Sequence, residues 1–394
     1  MSAADGERSG PWLNASVVGF GVASLLSDLG HEAATAALPA LLATFGAAPA
    51  ILGIIEGVSD GIVAFAKLGG GHVANRWHWR KPICVGGYLV TGLSTGLFAL
   101  VASWPQLLVA RSIGWLARGF RGPSRDAMLA DSVPESGVGR AFGFHRAMDT
   151  IGAVLGPLVA SVLVAAVSLD SVFVFSLVPG VLSAVALFVL VRRQRTTTYT
   201  PKSFTKSLAA LPPSFRRFLG AVFAFGMGDF ARTLLILRAT ELMTPELGVG
   251  AGAAFAMGLF AWHNVVAALA AFPIGRLADR TEPRTLLQWG YALGAVTALF
   301  AAFVPASIGA LVGLFAIAGL TIAFEDTLES TVTARLVPKE LRGSGYGALA
   351  ATNGVGDLVS SALVGILWTL RGPEVAFACA AVACAVGAWL VRER

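Results

Sequence analysis

Residues 71–76 read Gly71-His72-Val73-Ala74-Asn75-Arg76, and residues 275–280 read Gly275-Arg276-Leu277-Ala278-Asp279-Arg280, the same short pattern 204 positions apart. The same offset carries Arg80 onto Arg284, Pro134 onto Pro338, Gly139 onto Gly343, Gly143 onto Gly347 and Gly152 onto Gly356. One matched glycine is cheap. Matches spread over separate loops and segments mark an internal duplication, so the chain is expected to consist of two halves of like architecture.

Composition says what those halves are made of. Of 394 residues, 56% are hydrophobic and 13% charged, with a mean hydropathy of +0.73. Soluble domains carry about 25% charged residues, so a water-soluble protein of this kind would expose an intolerable apolar surface. A lipid-facing protein needs apolar side chains outside as well as inside. Each membrane span takes about 20 apolar residues, and the 46 glycines suit close helix approach in a bilayer. Cys84, Cys379 and Cys384 lie in apolar runs without metal-ligand spacing, so neither a metal site nor a disulfide framework is expected. The N-terminus, with Asp5, Glu7 and Arg8, lacks a basic start followed by a short apolar core, and no cleavable signal peptide is expected. The net charge of +6 does not point to nucleic acid, because its cations are concentrated in particular loops.

Apolar segments fall near 13–43, 50–74, 82–102, 105–130, 138–167 and 171–191, then near 216–243, 250–278, 285–304, 308–333, 341–370 and 374–391. Twelve spans in an all-α membrane protein are therefore expected, as a first six-helix bundle over 1–191, a basic linker over 192–217 and a second bundle over 218–394. Between Arg192 and Arg217 the linker carries Arg193, Arg195, Lys202, Lys206 and Arg216 and no acid. The even-numbered loops hold Arg76, Arg80, Lys81, Arg140, Arg276, Arg280, Arg284, Arg335, Lys339 and Arg342, whereas Arg371 is the main cation of the odd-numbered ones. Positive loops stay inside, so the even loops and both termini are expected in the cytoplasm. Short loops and compact length suit a bacterial inner membrane.

Parallel six-helix repeats and a Gly-x-x-x-Asp-Arg loop after the second span resemble the major facilitator superfamily over essentially the whole chain. The second copy of the loop signature is intact; the first departs from it, with Asn75 in place of the acid. In that family the loop helps latch the cytoplasmic side, which implies a latch role for Gly71, Asn75, Arg76, Gly275, Asp279 and Arg280, weakened in the first half. The fifth segment has Gly143, Gly152 and Gly156-Pro157, followed by Ala160-Ser161. That is similar to the glycine-proline motif of antiporter branches, with small residues in place of its last two glycines. Gly and Pro thin and kink a helix, so the resemblance implies a hinge at a domain contact; ordinary close packing is the competing reading.

Ionisable residues inside spans are costly and invite a functional explanation. Span one carries Ser24, Asp28, His31, Glu32 and Thr35 on one face, and span two carries Glu56, Asp60 and Lys67. Span four has Arg111, Arg118, Arg121 and Arg125, followed by Asp126; span five has His145, Arg146 and Asp149. In the second half stand Asp229, Arg232, Glu325, Asp326, Glu329, Asn353 and Asp357. The 204-residue offset places Arg121 on Glu325, Arg125 on Glu329 and Asp28 on Arg232, so related positions carry opposite charges. Arg125–Glu329 and Arg121–Glu325 are therefore expected to bridge the halves and close the cytoplasmic side, with Asp126 nearby. The alternative is that these charges neutralise one another permanently and hold the bundle together.

A carboxylate that couples transport to protons must alternate between protonated and ionised forms. Asp28 and Glu32, one turn apart, should share charge unequally, with His31 between them as a relay or a structural residue and Arg118 as modulating partner. Glu56 and Asp60 form a second candidate pair. The family resemblance implies that spans one, four, seven and ten line the cavity, which would bring Asp28, Glu32, Arg118, Asp229, Arg232 and Glu325 to it. Trp115 and Trp262 are candidates to stack on substrate. Both charge signs occur, so the substrate's charge stays open.

The expectation is a secondary transporter whose partners are protons, a small organic solute and the bilayer, acting as a monomer without a cofactor. Proton-driven export heads the readings. Proton-coupled import of a small anionic or zwitterionic solute, including metal chelates, is the alternative, and a transport-inactive sensor or scaffold is the alternative of another class. No phosphate-binding Gly-Lys-Ser/Thr loop or zinc-binding helix motif points to an enzyme.

Overall fold

The computed structural model describes residues 11–76, 80–134, 138–192, 211–338 and 342–392. Helices follow wherever the sequence leaves long apolar runs, since backbone polar groups in lipid must be satisfied within the segment. The first half contains α1 (Ala15–Thr44), α2 (Pro49–Arg76), α3 (Arg80–Gly96, extended by a 3-10 turn at Leu97–Leu100), α4 (Trp104–Asp131), α5 (Val138–Ala166) and α6 (Leu169–Leu190). The second contains α7 (Pro213–Gly226), α8 (Arg232–Leu247), α9 (Val249–Arg280), α10 (Pro283–Phe303), α11 (Ile308–Leu336), α12 (Arg342–Arg371) and α13 (Pro373–Arg392). Residues 193–210 of the expected linker lie outside the described residues, and α7 already begins at Pro213 within its expected range.

Polar caps and glycines set several boundaries. The Asn14 side chain accepts from Ser16 N (3.0 Å) and Val17 N (3.2 Å) to start α1. Gly248 and Gly372, at φ of +83° and +90°, each supply the single residue between consecutive helices, a conformation that suits glycine alone.

Nine of the described helices are long and apolar enough to cross a membrane. The others are α1 and α4, which carry polar and charged residues along their length, and α7 and α8, which are too short singly. Span seven, expected as one piece over 216–243, is thus broken at residues 227–231. The reason is local packing. Gly228 approaches the Ala380 carbonyl of α13 so closely that no side chain would fit. The backbone freed by the break finds partners on α12, where Ser361 Oγ accepts from Ala231 N (3.0 Å) and Ser360 Oγ donates to Asp229 O (2.6 Å). Counted as one broken span, α7 and α8 complete twelve.

The duplication is visible in the packing. In the first half α1 packs on α5 and α6, α2 on α4, and α3 on α4 and α6. Each contact recurs in the second half: α7 on α12 and α13, α9 on α11, and α10 on α11 and α13. Two extended contacts join the halves, α2 with α12 and α5 with α9, and the repeat exchanges one for the other. Backbones meet closely at the first of these: a Cβ on Gly57 would lie 2.5 Å from Leu358 O, and one on Gly365 would lie 2.6 Å from Pro49 O.

Large apolar side chains such as Phe188, Leu269, Trp289 and Trp389 face outward, as lipid contact requires. The buried apolar residues divide unevenly along the membrane normal. Toward the loop face poor in cations, Leu38, Leu42 and Leu52 share one core with Leu235, Met243, Phe260 and Trp368, fusing the halves. Toward the basic-loop face each half has its own core, around Phe20, Tyr88 and Met128 in one and Phe215, Tyr291 and Leu328 in the other. The molecule is closed on the first face and parted on the second.

Candidate transport site

The parting leaves a cavity of about 430 Å³ between α2 on one side and α11 and α12 on the other. Asp60, Lys67, Asp326, Glu329, Tyr346, Asn353 and Asp357 are among its lining residues. Charged side chains from neighbouring helices are arranged in layers around it.

In the outer layer Arg111 of α4 lies 2.6 Å from Glu56 of α2, with both side chains nearly inaccessible. The guanidinium also covers the Trp115 ring at 3.9 Å, and His31 of α1 approaches that ring at 4.3 Å between centroids. Trp115 is therefore buried between charged and polar neighbours. Glu56 is engaged with Arg111, so the proposed Glu56–Asp60 pair divides: Glu56 is held in an ion pair and Asp60 opens onto the cavity.

In the middle layer Arg118 Nη1 lies 3.0 Å from Asp28 Oδ1. Ser24 donates to Asp149 of α5 (2.5 Å), tying α1 to α5 at the same level. No cation lies within 4 Å of Glu32 among the described residues. The second half repeats the arrangement with signs exchanged: Arg232, at the start of α8, lies 3.4 Å from Asp229 in the break and 3.7 Å from Glu325 of α11. Each half thus pairs a charge near its first span with an opposite charge on its fourth.

With the basic-loop face parted, the bridges expected across the cavity on closure are not formed. Arg121 turns inside its own half, donating to Ser27 (3.0 Å) and Thr91 (3.4 Å) and stacking on Tyr88 at 3.7 Å. Glu325 meets Arg232 instead. Arg125 pairs with Asp126 at 2.9 Å, and Glu329 accepts from Tyr291 (2.5 Å) and Asn353 (2.7 Å). In this arrangement Arg121–Glu325 and Arg125–Glu329 are apart, and each of the four side chains has partners in its own half. Among the described residues, the ion pair that does cross between halves near the basic-loop face is Arg146–Asp326, at 3.8 Å, with both side chains largely exposed. Nothing in helical periodicity singled it out, since it joins positions unrelated by the repeat.

Trp262 is also displaced from its expected role. It is exposed on the outside of the bundle, and its indole donates to Val312 O of α11 at 3.2 Å. The glycine motif sits elsewhere than at the domain contact. A Cβ on Gly152 would lie 3.1 Å from Asp28 Cβ, and one on Gly156 would lie 2.9 Å from Glu32 Cβ, so both seat α5 on α1 within one half. Gly143 faces open space. Pro157 lies within α5, one residue beyond Gly156. The contact of α5 with the other half is polar instead, with Ser161 Oγ donating to Ala254 O (2.8 Å) and Asn264 to Ala153 O (2.7 Å). The side chains of the expected latch residues Asn75, Arg76 and Asp279 lie outside the described residues, as does the surround of Gly71; Gly275 adjoins Thr327 of α11, and Arg280 is exposed.

Two pseudo-symmetric helical halves around a polar cavity open toward one face define a membrane transporter. The chain belongs to the major facilitator superfamily, whose profile it matches over residues 20–261 and again over 218–394. An uncharacterized MFS-type transporter of Methanocaldococcus jannaschii is 26% identical over 371 residues, covering 93% of this chain and 91% of that one. The 4-hydroxybenzoate transporter PcaK of Pseudomonas putida is 24% identical over 387 residues, covering 89% and 86%. Among solved structures, a bacterial homolog of the human lysosomal transporter Spinster superposes with a TM-score of 0.77 at 17% identity, covering 95% of each chain.

Proposed function

We propose that the protein is a proton-coupled secondary transporter that exports a small organic solute in exchange for protons, with the basic-loop face and both termini in the cytoplasm. The observation that carries this reading is the seating of Gly152 and Gly156 against α1 beside Asp28 and Glu32. A shift of α5 against α1 would act directly on the two carboxylates. Arg118 neutralises Asp28 at 3.0 Å, whereas Glu32 is in no ion pair among the described residues, which suits it to exchange a proton. Protonation there would change the charge at the α1–α5 contact as access alternates.

Vesicles reconstituted with the protein and given an imposed pH gradient test the coupling. Solute movement opposite to the proton flow, lost in Asp28→Asn and Glu32→Gln, is the expected result. Unchanged coupling in both variants would remove these carboxylates from the mechanism. Proton-coupled uptake of a small anion is the second reading, supported by the similarity to the 4-hydroxybenzoate transporter; it predicts solute and protons moving together.

A further inference from the structure

A second cavity lies away from the central one, at the basic-loop end of the second half. There α7 and α10 both pack on α13. Deeper in the membrane the space between them is closed, with Phe225 of α7 stacked on Tyr291 of α10 at 3.8 Å. Toward the loops it widens to about 280 Å³, lined by Arg217, Phe218 and Gly220 of α7, Arg284 of α10 and Leu390 of α13 among others. None of these five residues lines the central cavity.

The internal repeat provides a control, because the matching place in the first half is filled. Lys81 of α3 reaches the end of α6, where its Nζ donates to Phe188 O (2.8 Å) and Val191 O (2.6 Å). Arg80 beside it is neutralised by Asp131 of α4 at 3.0 Å. The 204-residue offset keeps Arg80 as Arg284 but puts Thr285 in place of Lys81 and Arg335 in place of Asp131. The second half thus retains the arginine, loses its acid and loses the long side chain that bridges the helix ends. Arg335 is turned elsewhere, donating to Ala278 O of α9 at 2.9 Å. Arg217 adds another cation, where the offset gives Leu13. Neither Arg217 nor Arg284 is in an ion pair among the described residues. Two guanidinium groups lining one cavity suit a phosphate, which accepts from both.

The surroundings distinguish a lipid phosphate from a free one. Trp289 of α10 and Trp389 of α13 are largely exposed near the same helix ends, as indoles at headgroup level are. Phe218 and Leu390 give the cavity apolar walls. Outward-facing Phe223 continues that surface one turn deeper than Gly220, where a Cβ would meet nothing within 4 Å. An acyl chain gains from such a track, and a soluble phosphate does not.

We propose that this cavity binds an anionic phospholipid from the leaflet on the basic-loop side. Its headgroup phosphate sits between Arg217 and Arg284, and an acyl chain runs along Phe218 and Phe223. The lipid does for the second half what Lys81 does for the first, bridging helix ends that the protein leaves apart.

Native mass spectrometry of the purified full-length protein tests this, with dioleoylphosphatidylglycerol and dioleoylphosphatidylcholine as probes of matched chains and different charge. The expected result is preferential retention of the phosphatidylglycerol. Arg217→Gln and Arg284→Gln should each weaken it about fivefold, and together about thirtyfold. Arg276→Gln, on the same face but outside the cavity, should leave it unchanged. Equal retention of the two lipids by the wild-type chain overturns the proposal whether or not the variants fold. Wild-type affinity in the folded double variant, or an equal loss in Arg276→Gln, overturns it too. Displacement of the lipid by an equal concentration of glycerol 3-phosphate would mark a free-phosphate site and overturn the lipid assignment.

Discussion

Arg118 and Asp28 are joined at 3.0 Å within the first half, and in the second half the corresponding helices are joined with the charges reversed, Glu325 of α11 lying 3.7 Å from Arg232, the counterpart of Asp28. Asp28 is buried while Arg118 is partly exposed, so the pair is partly desolvated. Removing one member of a buried pair costs roughly 3–5 kcal/mol, and the partial exposure of Arg118 places its loss at the lower end. Arg118→Ala should therefore lower the thermal midpoint in detergent more than the double variant Asp28→Asn/Arg118→Gln does. Strictly additive losses in that cycle would show that the two side chains are not coupled.

The glycines of α5 give a contrast within one helix. A Cβ on Gly156 would lie 2.8 Å from the Leu29 carbonyl and 2.9 Å from Glu32 Cβ, whereas one on Gly143 would meet nothing within 4 Å. Gly156→Val should destabilise by about 1–3 kcal/mol, the range of overpacking. Gly143→Ala should be neutral or slightly stabilising, because alanine is the better helix former. Thermal unfolding of the two variants side by side checks the difference; equal midpoints would mean that α1 and α5 separate easily.

Glu56 and Arg111 are buried more completely than any other ion pair described. Glu56→Gln leaves a guanidinium without its counter-charge in a dry setting, at a cost of roughly 3–5 kcal/mol. Replacing both residues by apolar ones of similar size, as in Glu56→Leu/Arg111→Met, should recover much of that loss. The recovery would be read as a higher unfolding midpoint than that of Glu56→Gln. If the double variant is the less stable, the pair contributes net stability.

On the closed face, the Ala50 N–H donates to Thr369 Oγ1 at 2.9 Å, bringing α2 and α12 together across the halves. In a Cys379→Ser background, Ala50→Cys with Thr369→Cys should form a disulfide under oxidation and hold this face shut. Transport in vesicles should fall to background when oxidised and return with dithiothreitol. Full transport with the disulfide formed would show that this face need not open between α2 and α12.

Legible in the sequence were the twelve-span plan, its division into two related halves and the helices that carry charge. Those features follow from periodicity and composition, which depend only on neighbours along the chain. The stripe of Asp28, His31 and Glu32 on one face of α1 was visible for the same reason, and so was the arginine ladder of α4. Partner choice was not visible. The 204-residue offset suggested that Arg125 and Glu329 meet across the cavity; with the basic-loop face parted, Arg125 is held by Asp126 and Glu329 by Tyr291 and Asn353. A charge takes the partner that the fold brings within reach, and reach is set by helix rotation and by the parting of the halves.

The same holds for Trp262, whose residue type gave no sign that it faces outward, and for span seven, whose break depends on Ala380 of α13 meeting Gly228. Sequence alone determined where the long apolar helices lie and that the second half repeats the first, because lipid imposes length and apolarity on each span separately. Tertiary structure alone decided that Arg111, Arg118 and Arg232 are engaged by acids of their own halves, leaving Asp60 and Asp357 facing one cavity. Ion pairing acts over a few ångströms, and only the packing of α2 against α12 brings those two carboxylates to the same cavity.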